Sequence, residues 1–443
     1  METDNFFLPT EQEIQKHTIS SLSQYWKNKS YLIAKLPIKR TVTNVMPGTP
    51  LQLVSILLPV WAKHCGVGNR LLVPAECNPK KYDGNKSDLW KEIDWFLAIF
   101  LMLECWHERL WENKFGPIHS YSFKLRGWDK RAWERAWVNR IGLFLREWAA
   151  HTKKKSAEAL FGIQNKAKIK MTHDVDAIKK TWAIRFKQSI FMLFNAFRAV
   201  FKGNFLLALE KIKKSFFFII NNEDWMVFDK LLAHEKDANI TSTFYFYSDL
   251  KKKKLKNILF DPGYKINSKN LKKILSDISL NNHEIGLHPG FDSWNNIKDL
   301  KEQKKALQDA CGISISSVRQ HWLRFSWKFT WACQQAVGLK LDTTLMFNDR
   351  PGFRNSSSLL WHPWNFSKKK AYNIQAMPSI LMDSHIYDYL ELNDHERENL
   401  MYHLIKECKT VSGEAAVLWH PHTLTKDYGW SGSFLKFLRM INK

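Results

Sequence analysis

The sequence predicts an α/β fold, in which short strands and helices alternate along the chain. Residues 168–172 alternate polar and apolar side chains, the period of a half-buried strand, and residues 240–246 are β-branched and aromatic. Similar short stretches recur between segments of helical period, at 283–288, 318–322, 339–343, 374–377 and 415–419. Strands that alternate with helices form an α/β layer or barrel, with the chemistry at the carboxyl ends of the strands.

The composition is that of a folded, multidomain protein. The chain has 443 residues, enough for two or three domains, and 45% of them are hydrophobic. The six cysteines include no CxxC pair, so neither a disulfide scaffold nor a cysteine-based metal knuckle is expected. Met1–Phe7 does not read as the start of a signal peptide, and no apolar run reaches the roughly 18 residues of a membrane span. We therefore expect a cytoplasmic protein.

The formal net charge of +24 indicates an anionic partner. Nucleic acid, an anionic membrane surface and an anionic substrate all satisfy that charge, and a lysine-rich solvated surface is the alternative. No helix-turn-helix, zinc-finger or RNP-like pattern is present. The sequence therefore predicts no specific nucleic-acid partner.

Two parts of the chain differ in composition. Residues 1–160 are rich in tryptophan, and we predict that they form an additional N-terminal α/β domain. This accessory domain contains no group of residues that suggests catalysis. Residues 161–443 carry the strand–helix alternation, with a basic helical insertion at 179–222. One face of that insertion carries apolar side chains at three-and-four spacing, namely Ile190, Leu193, Phe194, Phe197, Val200 and Phe201. Such a helix fits an anionic membrane interface, or alternatively packs over the neighbouring domain.

Two carboxylates, Asp174 and Asp176, end the first strand of the second part. Side chains two apart in extended backbone point to the same side, so both can face one cavity. Two like charges that close are costly unless a cation or a strong donor lies between them. A metal ligand beside a general base resolves this cost. The alternative is a strand-end turn with two solvated aspartates.

Three other predicted strand ends carry a histidine: His288, His321 and His420. Arg319 lies two residues before His321. A neutral imidazole at His288 can bind a metal together with Asp176. Each histidine alone is weak evidence, but their shared placement with the paired aspartates predicts an active site.

The motif series resembles that of the polysaccharide deacetylases, the family-four carbohydrate esterases, over roughly residues 165–430. The series consists of Thr172-His173-Asp174-Val175-Asp176, His283-Glu284-Ile285-Gly286-Leu287-His288, Arg319-Gln320-His321-Trp322 and Leu418-Trp419-His420. It is most similar to a divergent bacterial branch linked to surface-polysaccharide biosynthesis. The resemblance implies a distorted (β/α) barrel of about seven strands that holds one divalent metal ion, usually zinc.

The resemblance also implies a role for each site residue. Asp174 would be the general base, His420 the general acid, and Arg319 the residue that orients or tunes Asp174. Asp176 and His288 would be metal ligands.

One position departs from the family pattern. The family usually places a second ligand histidine four residues after the first, where this chain has Asp292. Asp292 could supply an oxygen ligand, and His321 could supply the usual imidazole. We favour His321 and predict the metal ligands as Asp176, His288 and His321.

The implied activity is metal-dependent hydrolysis of an N-acetyl or O-acetyl group on a sugar or polysaccharide precursor. For an N-acetyl group the bond broken is a carbon–nitrogen amide bond that is not a peptide bond. We expect a carbohydrate or lipid-linked sugar as substrate, met at the inner face of the cytoplasmic membrane. The alternative is a catalytically degenerate glycan-binding accessory protein of surface-polysaccharide assembly. The missing second histidine supports that alternative.

Overall fold

The structure is a computed structural model, and it describes residues 8–41, 43–78, 87–201, 203–251 and 255–442. Met1–Phe7 lies outside the described residues. The helices are α1 (Glu11–Ser21), α2 (Ser30–Ala34), α3 (Trp95–Leu103), α4 (Trp106–Phe115), α5 (Trp137–Thr152), α6 (Ala157–Phe161), α7 (Trp182–Phe201), α8 (Phe205–Ile220), α9 (Phe228–Asp237), α10 (Leu255–Phe260), α11 (Lys269–Leu280), α12 (Ile297–Cys311), α13 (Thr330–Ala336), α14 (Asp394–Thr410) and α15 (Ser431–Asn442).

The strands of the described residues are short. They are β1 (Leu53–Leu57), β2 (Arg70–Pro74), β3 (Lys168–Val175), β4 (Ser242–Phe246), β5 (Glu284–Leu287), β6 (Ser317–Val318), β7 (Leu341–Asp342), β8 (Trp364–Asn365), β9 (Lys370–Ala371), β10 (Gln375–Ala376), β11 (Ser379–Met382) and β12 (Glu414–Leu418). Strands β1 and β2 form an antiparallel pair in the N-terminal region, among helices. Strands β8 and β9 form a second antiparallel pair.

The largest sheet has eight strands in the order β10-β7-β6-β5-β4-β3-β12-β11. Its centre is parallel: β3 pairs with β4, β4 with β5, and β5 with β6. The sheet curls into a half-barrel with helices around it, which confirms the predicted α/β class and distorted (β/α) barrel. The strand count is eight rather than about seven because β11 escaped prediction.

Strand ends differ most from prediction around residues 318–322. Strand β6 ends at Val318, and Trp322 and Leu323 have positive φ angles of 57° and 49°. Left-handed backbone cannot continue a strand, so the chain turns there. This early end leaves Arg319 and His321 just beyond the strand rather than within it.

The chain packs as two compact units, each built from segments that are distant in sequence. The first comprises Met1–Lys170, Trp322–Leu381 and Leu400–Val417, and the second comprises Met171–His321, Met382–Asn399 and Leu418–Lys443. Such units reflect how residues pack and do not show which segments fold independently. The predicted division into domains 1–160 and 161–443 therefore stays a prediction.

The first unit has a tryptophan-rich core that also buries charge. Every residue of α3 is buried, which explains its almost wholly apolar sequence. The buried carboxylate of Glu104, at the end of that helix, is bonded to His17 and Arg109 and accepts a hydrogen bond from the Trp361 indole. Buried charge is tolerated only with such partners.

Helices α7 and α8 occupy the predicted basic insertion at 179–222. They belong to the second unit and pack against each other. Of the helices in the described ranges, none combines the length and the apolar character that a bilayer crossing requires.

Candidate metal centre and active site

The site lies at the carboxyl ends of the parallel strands, and its residues all belong to the second unit. Strand β3 ends at Val175 between the two aspartates, and the Asp174 side chain is buried while that of Asp176 is 30% exposed. His288 directly follows β5, and its backbone N–H extends the strand pairing by donating to the Phe246 carbonyl oxygen. Parallel strands therefore deliver these side chains to one edge of the sheet.

Asp176, His288 and His321 converge on one point. The Asp176 Oδ1 atom lies 3.2 Å from His288 Nε2 and 3.5 Å from His321 Nε2. Their candidate ligand atoms all lie within 4.8 Å of one another. In the part of the chain that the structure describes, no other group of three His, Cys, Asp or Glu residues has this geometry.

The chemistry of these three residues fits a divalent metal ion. The Asp176 Oδ1 atom is buried without a hydrogen-bond partner, although it faces two imidazole nitrogens. Two histidines and one carboxylate form a donor set of catalytic zinc sites, which keep a further position open for water or substrate. The residues present therefore suit such an ion.

The other nitrogen of each histidine is held by a neighbour. The Nδ1–H of His288 donates to the carbonyl oxygen of Arg319 at 2.7 Å, and Nδ1 of His321 lies 3.4 Å from Asp261 Oδ1. Asp261 also accepts a hydrogen bond from the backbone N–H of Phe291. Partners of this kind orient a ligating imidazole and leave Nε2 for the metal.

The pKa values of the three residues reflect their proximity. Burial raises the pKa of Asp176, but the three neighbouring histidines outweigh it and hold that pKa well below its usual range. Burial lowers the pKa of His288, and the Asp174 and Asp176 carboxylates reverse this to a net rise. For His321 burial prevails and the pKa falls despite Asp176, which favours the neutral imidazole that a metal needs.

Arg319 holds the Asp174 carboxylate. Its Nη1 donates to Asp174 Oδ1 at 3.1 Å and to Thr172 Oγ1 at 2.7 Å. The guanidinium carbon lies 4.9 Å from the centre of the Tyr245 ring, so the charged group is enclosed by β3 and β4. Asp174 Oδ2 lies 3.8 Å from His288 Nε2, which places this carboxylate beside the candidate metal ligands.

His420 approaches from β12 with its own carboxylate partner. Its Nδ1–H donates to Asp383 Oδ1 at 2.7 Å, and its backbone N–H donates to Oδ2 at 2.9 Å. The Nε2 atom lies 3.6 Å from Asp176 Oδ2. Burial opposes charge on His420, but Asp383 outweighs it and raises the pKa of the imidazole to about 10. The raised pKa favours the protonated form of His420, whose Nε2 faces Asp176.

The structure brings all the predicted site residues together, and their catalytic and metal-binding roles stay predictions. Asp292, the alternative third ligand, is exposed and is not a member of the converging group. His283, the first residue of the motif that ends at His288, packs away from the site: its Nδ1 accepts from the Ser242 backbone N–H and lies 3.5 Å from buried Glu235.

No role was predicted for Asp261 or Asp383. Asp383 directly follows β11, a short apolar strand. The rule that site residues lie at the carboxyl ends of strands, which predicted the histidines, would also have predicted Asp383 if β11 had been recognised. Asp261 lies in an Asp-Pro-Gly turn, and a turn aspartate gives no signal that it will meet a histidine sixty residues later.

Neither the known protein-family models nor the curated proteins contain a match to this chain. Solved structures do match. A candidate polysaccharide deacetylase from Mycobacterium smegmatis is 15% identical with a TM-score of 0.38, over 63% of this chain and 85% of that one. A polysaccharide deacetylase from Bacillus cereus is 11% identical with a TM-score of 0.27, over 62% of this chain and 87% of that one.

A further match is to a pseudoenzyme. This CE4 family protein from Bacillus anthracis is 10% identical with a TM-score of 0.27, over 62% of this chain and 61% of that one. The names of these three proteins are those of the family that the motif series resembles.

Proposed function

We propose that the chain is a metal-dependent hydrolase that removes an acetyl group from a sugar or polysaccharide precursor. The observation that carries this proposal is the convergence of Asp176, His288 and His321 beside a carboxylate and a further imidazole. Asp174, held by Arg319, lies 3.8 Å from His288 Nε2, and His420 Nε2 lies 3.6 Å from Asp176 Oδ2. Acyl transfer to water needs a base for the attacking water and an acid for the leaving group, both within reach of one reacting carbon.

A divalent cation held by Asp176, His288 and His321 would supply Lewis acidity, which polarises a carbonyl and makes water a better nucleophile. Asp174 then acts as the general base that accepts the proton of the attacking water. Arg319 and Thr172 keep its carboxylate in one orientation, so little reorganisation is needed during the reaction.

His420 acts as the general acid. Its Nδ1–H is bound by Asp383, so the proton that it can give away lies on Nε2, on the side of the site. The departing amine or alcohol takes that proton as the bond to the acetyl carbon breaks. The Asp383 carboxylate then faces a neutral imidazole, which can be reprotonated from solvent.

The test is metal content together with acetate release. We expect purified protein to bind about one zinc ion per chain, as catalytic zinc sites do, and to release acetate from an N- or O-acetylated sugar. Elemental analysis and an enzymatic acetate assay measure the two quantities. No metal uptake and no acetate release would contradict the proposal, and retained binding of glycan would then support the glycan-binding alternative.

A further inference from the structure

Helices α7 and α8 present their large apolar side chains to solvent. Phe201 is 75% exposed and Leu206 is 84% exposed, on either side of the turn that joins the two helices. Phe194 and Phe197 on α7, and Phe216 on α8, are each more than half exposed. So many exposed large apolar side chains on one pair of helices are unusual on a protein that meets only water.

Near the turn, the two helices meet through small residues. Ala196, Ala199 and Ala208 form a buried cluster there, with Leu207 and Ile212 packed against it. Phe218, near the base of the pair, is the large side chain of α8 that is fully buried. Ser189 and Ser215 close its other end, each hydroxyl donating to the other residue's carbonyl oxygen, at 3.0 and 3.2 Å. In water, helix pairs bury large apolar side chains and expose polar ones. Small residues between helices and large apolar residues outside are the arrangement of helices in lipid.

The same segment is strongly basic. Residues 182–220 contain seven lysines and arginines and a single acid, Glu210. Lys187, Lys213 and Lys214 are exposed. Basic side chains beside an exposed apolar surface are complementary to a bilayer with anionic headgroups, which they attract over about one Debye length, on the order of 10 Å.

We propose that α7 and α8 form a hairpin that docks on the surface of an anionic lipid bilayer. Phe201, Phe205 and Leu206 at its tip enter the boundary between headgroups and acyl chains, and the lysines contact the headgroups. The hairpin lies in the interface, since neither helix is apolar enough to cross. A lipid surface also needs no shape complementarity, whereas a partner protein would need a matching groove.

The base of the hairpin is tied to the site-bearing unit. Arg185 donates to the Asn221 carbonyl oxygen at 2.8 Å, and Lys180 pairs with buried Asp427 at 2.9 Å. Asp427 also accepts from the Trp225 indole at 2.8 Å. Because α7 begins at Trp182, six residues after Asp176 in the chain, docking tethers the site-bearing unit to the lipid surface. A lipid-linked sugar then follows as substrate, a step that rests on the proposed function.

Co-sedimentation with vesicles tests the docking. Full-length protein is mixed with vesicles of phosphatidylcholine alone, or of equal parts phosphatidylcholine and phosphatidylglycerol. We expect binding to the anionic vesicles that falls steeply with added salt. The Phe201→Glu/Phe205→Glu variant should bind about tenfold less or weaker still, because two apolar anchors become charged.

Phe123→Glu is the matched control, because Phe123 is 65% exposed in the N-terminal region and outside the hairpin. It should bind anionic vesicles like the wild type. Circular dichroism checks that both variants are folded. Equal binding of wild type and double variant, or no preference for anionic vesicles, would overturn the proposal. A dimer in light scattering that the double variant dissociates would instead assign the surface to a second copy of this chain.

This readout does not depend on catalysis. If the wild-type protein binds anionic vesicles but releases no acetate, only the proposed function is contradicted. If it binds zinc normally but does not bind vesicles, only the membrane docking of the hairpin is contradicted.

Discussion

Asp176 shows how neighbours decide what a residue does. Its carboxylate faces two histidines in the candidate metal group and a third from β12, and its Oδ1 atom has no hydrogen-bond donor. A solvated strand-end aspartate would have met water instead. This oxygen is the one that we propose binds the divalent cation together with His288 and His321.

Asp174→Asn separates catalysis from metal binding. The amide keeps the size of the carboxylate and can still accept from Arg319, but it cannot accept a proton from water. We expect acetate release to fall by about 10²–10⁴-fold, the usual contribution of a general base. Zinc content should stay near that of the wild type by elemental analysis. Unchanged turnover would remove Asp174 from the mechanism.

The third metal ligand can be identified by comparing two variants, His321→Ala and Asp292→Ala. His321 Nε2 lies 3.5 Å from Asp176 Oδ1, whereas Asp292 is exposed and outside the group. We expect the histidine variant to lose zinc and the aspartate variant to retain it, as measured by elemental analysis after dialysis. The reverse result would transfer the ligand role to Asp292.

Asp383→Asn tests the positioning of His420. An amide does not stabilise a protonated imidazole as a carboxylate does, so the change lowers the pKa of His420. A smaller fraction of His420 is then protonated and able to act as the general acid. We expect kcat to fall by about 10²-fold, at the low end for a general acid, with zinc content unchanged. A leaving group that needs no protonation, such as an activated aryl acetate, should be hydrolysed nearly as fast as by the wild type. An equal loss on both substrates would indicate a structural role only.

At the scale of elements, β5 depends on a glycine. A Cβ atom at Gly286 would lie 2.4 Å from the Tyr245 ring and 2.7 Å from Ser317 Oγ. Tyr245 lies against the Arg319 guanidinium, so strain in this strand reaches the residue that holds Asp174. The packing of three adjacent strands therefore supports the site.

Gly286→Ala should destabilise the protein by about 1–3 kcal/mol, the usual cost of overpacking a core. It should also lower turnover through displacement of Tyr245. Gly432→Ala is the control, because its Cβ would meet nothing within 4 Å and alanine favours the helix. Urea unfolding midpoints compare the two. A Gly286→Ala midpoint equal to that of the wild type would show that the sheet relaxes around the methyl group.

At the scale of the whole molecule, the N-terminal region shares a buried core with later segments of the chain. Arg140 pairs with Glu407 at 2.6 Å, and both side chains are almost fully buried. The Asn139 side chain donates to the Ser358 carbonyl oxygen at 3.0 Å within the same unit. Contacts of this kind couple the folding of residues far apart in sequence.

Arg140→Ala measures that coupling. The change leaves the Glu407 carboxylate buried without its main partner, which costs about 3–5 kcal/mol. Arg135→Ala is the control, since Arg135 is 44% exposed and 4.0 Å from the same carboxylate, so about 1 kcal/mol or less is expected. Denaturant unfolding measures both. A small effect of Arg140→Ala would favour the predicted independent domain at 1–160.

The sequence by itself determined the features that are local. Strand periodicity predicted the α/β class, and the period of two predicted that Asp174 and Asp176 share a face. The strand-end rule predicted that His288, His321 and His420 meet, because parallel strands end at one edge of a sheet. Each of these inferences uses only the local sequence pattern and needs no knowledge of how far apart remote residues lie in the fold.

Only the tertiary structure decided which remote residues meet. It placed His321 rather than Asp292 beside Asp176, joined Asp383 to His420, and grouped residues 1–170 with later segments in one compact unit. It also showed that α7 and α8 bury three alanines between them and expose most of their large apolar side chains. The physical reason is that such contacts depend on the path of the chain between strands, and local pattern carries no information on that path.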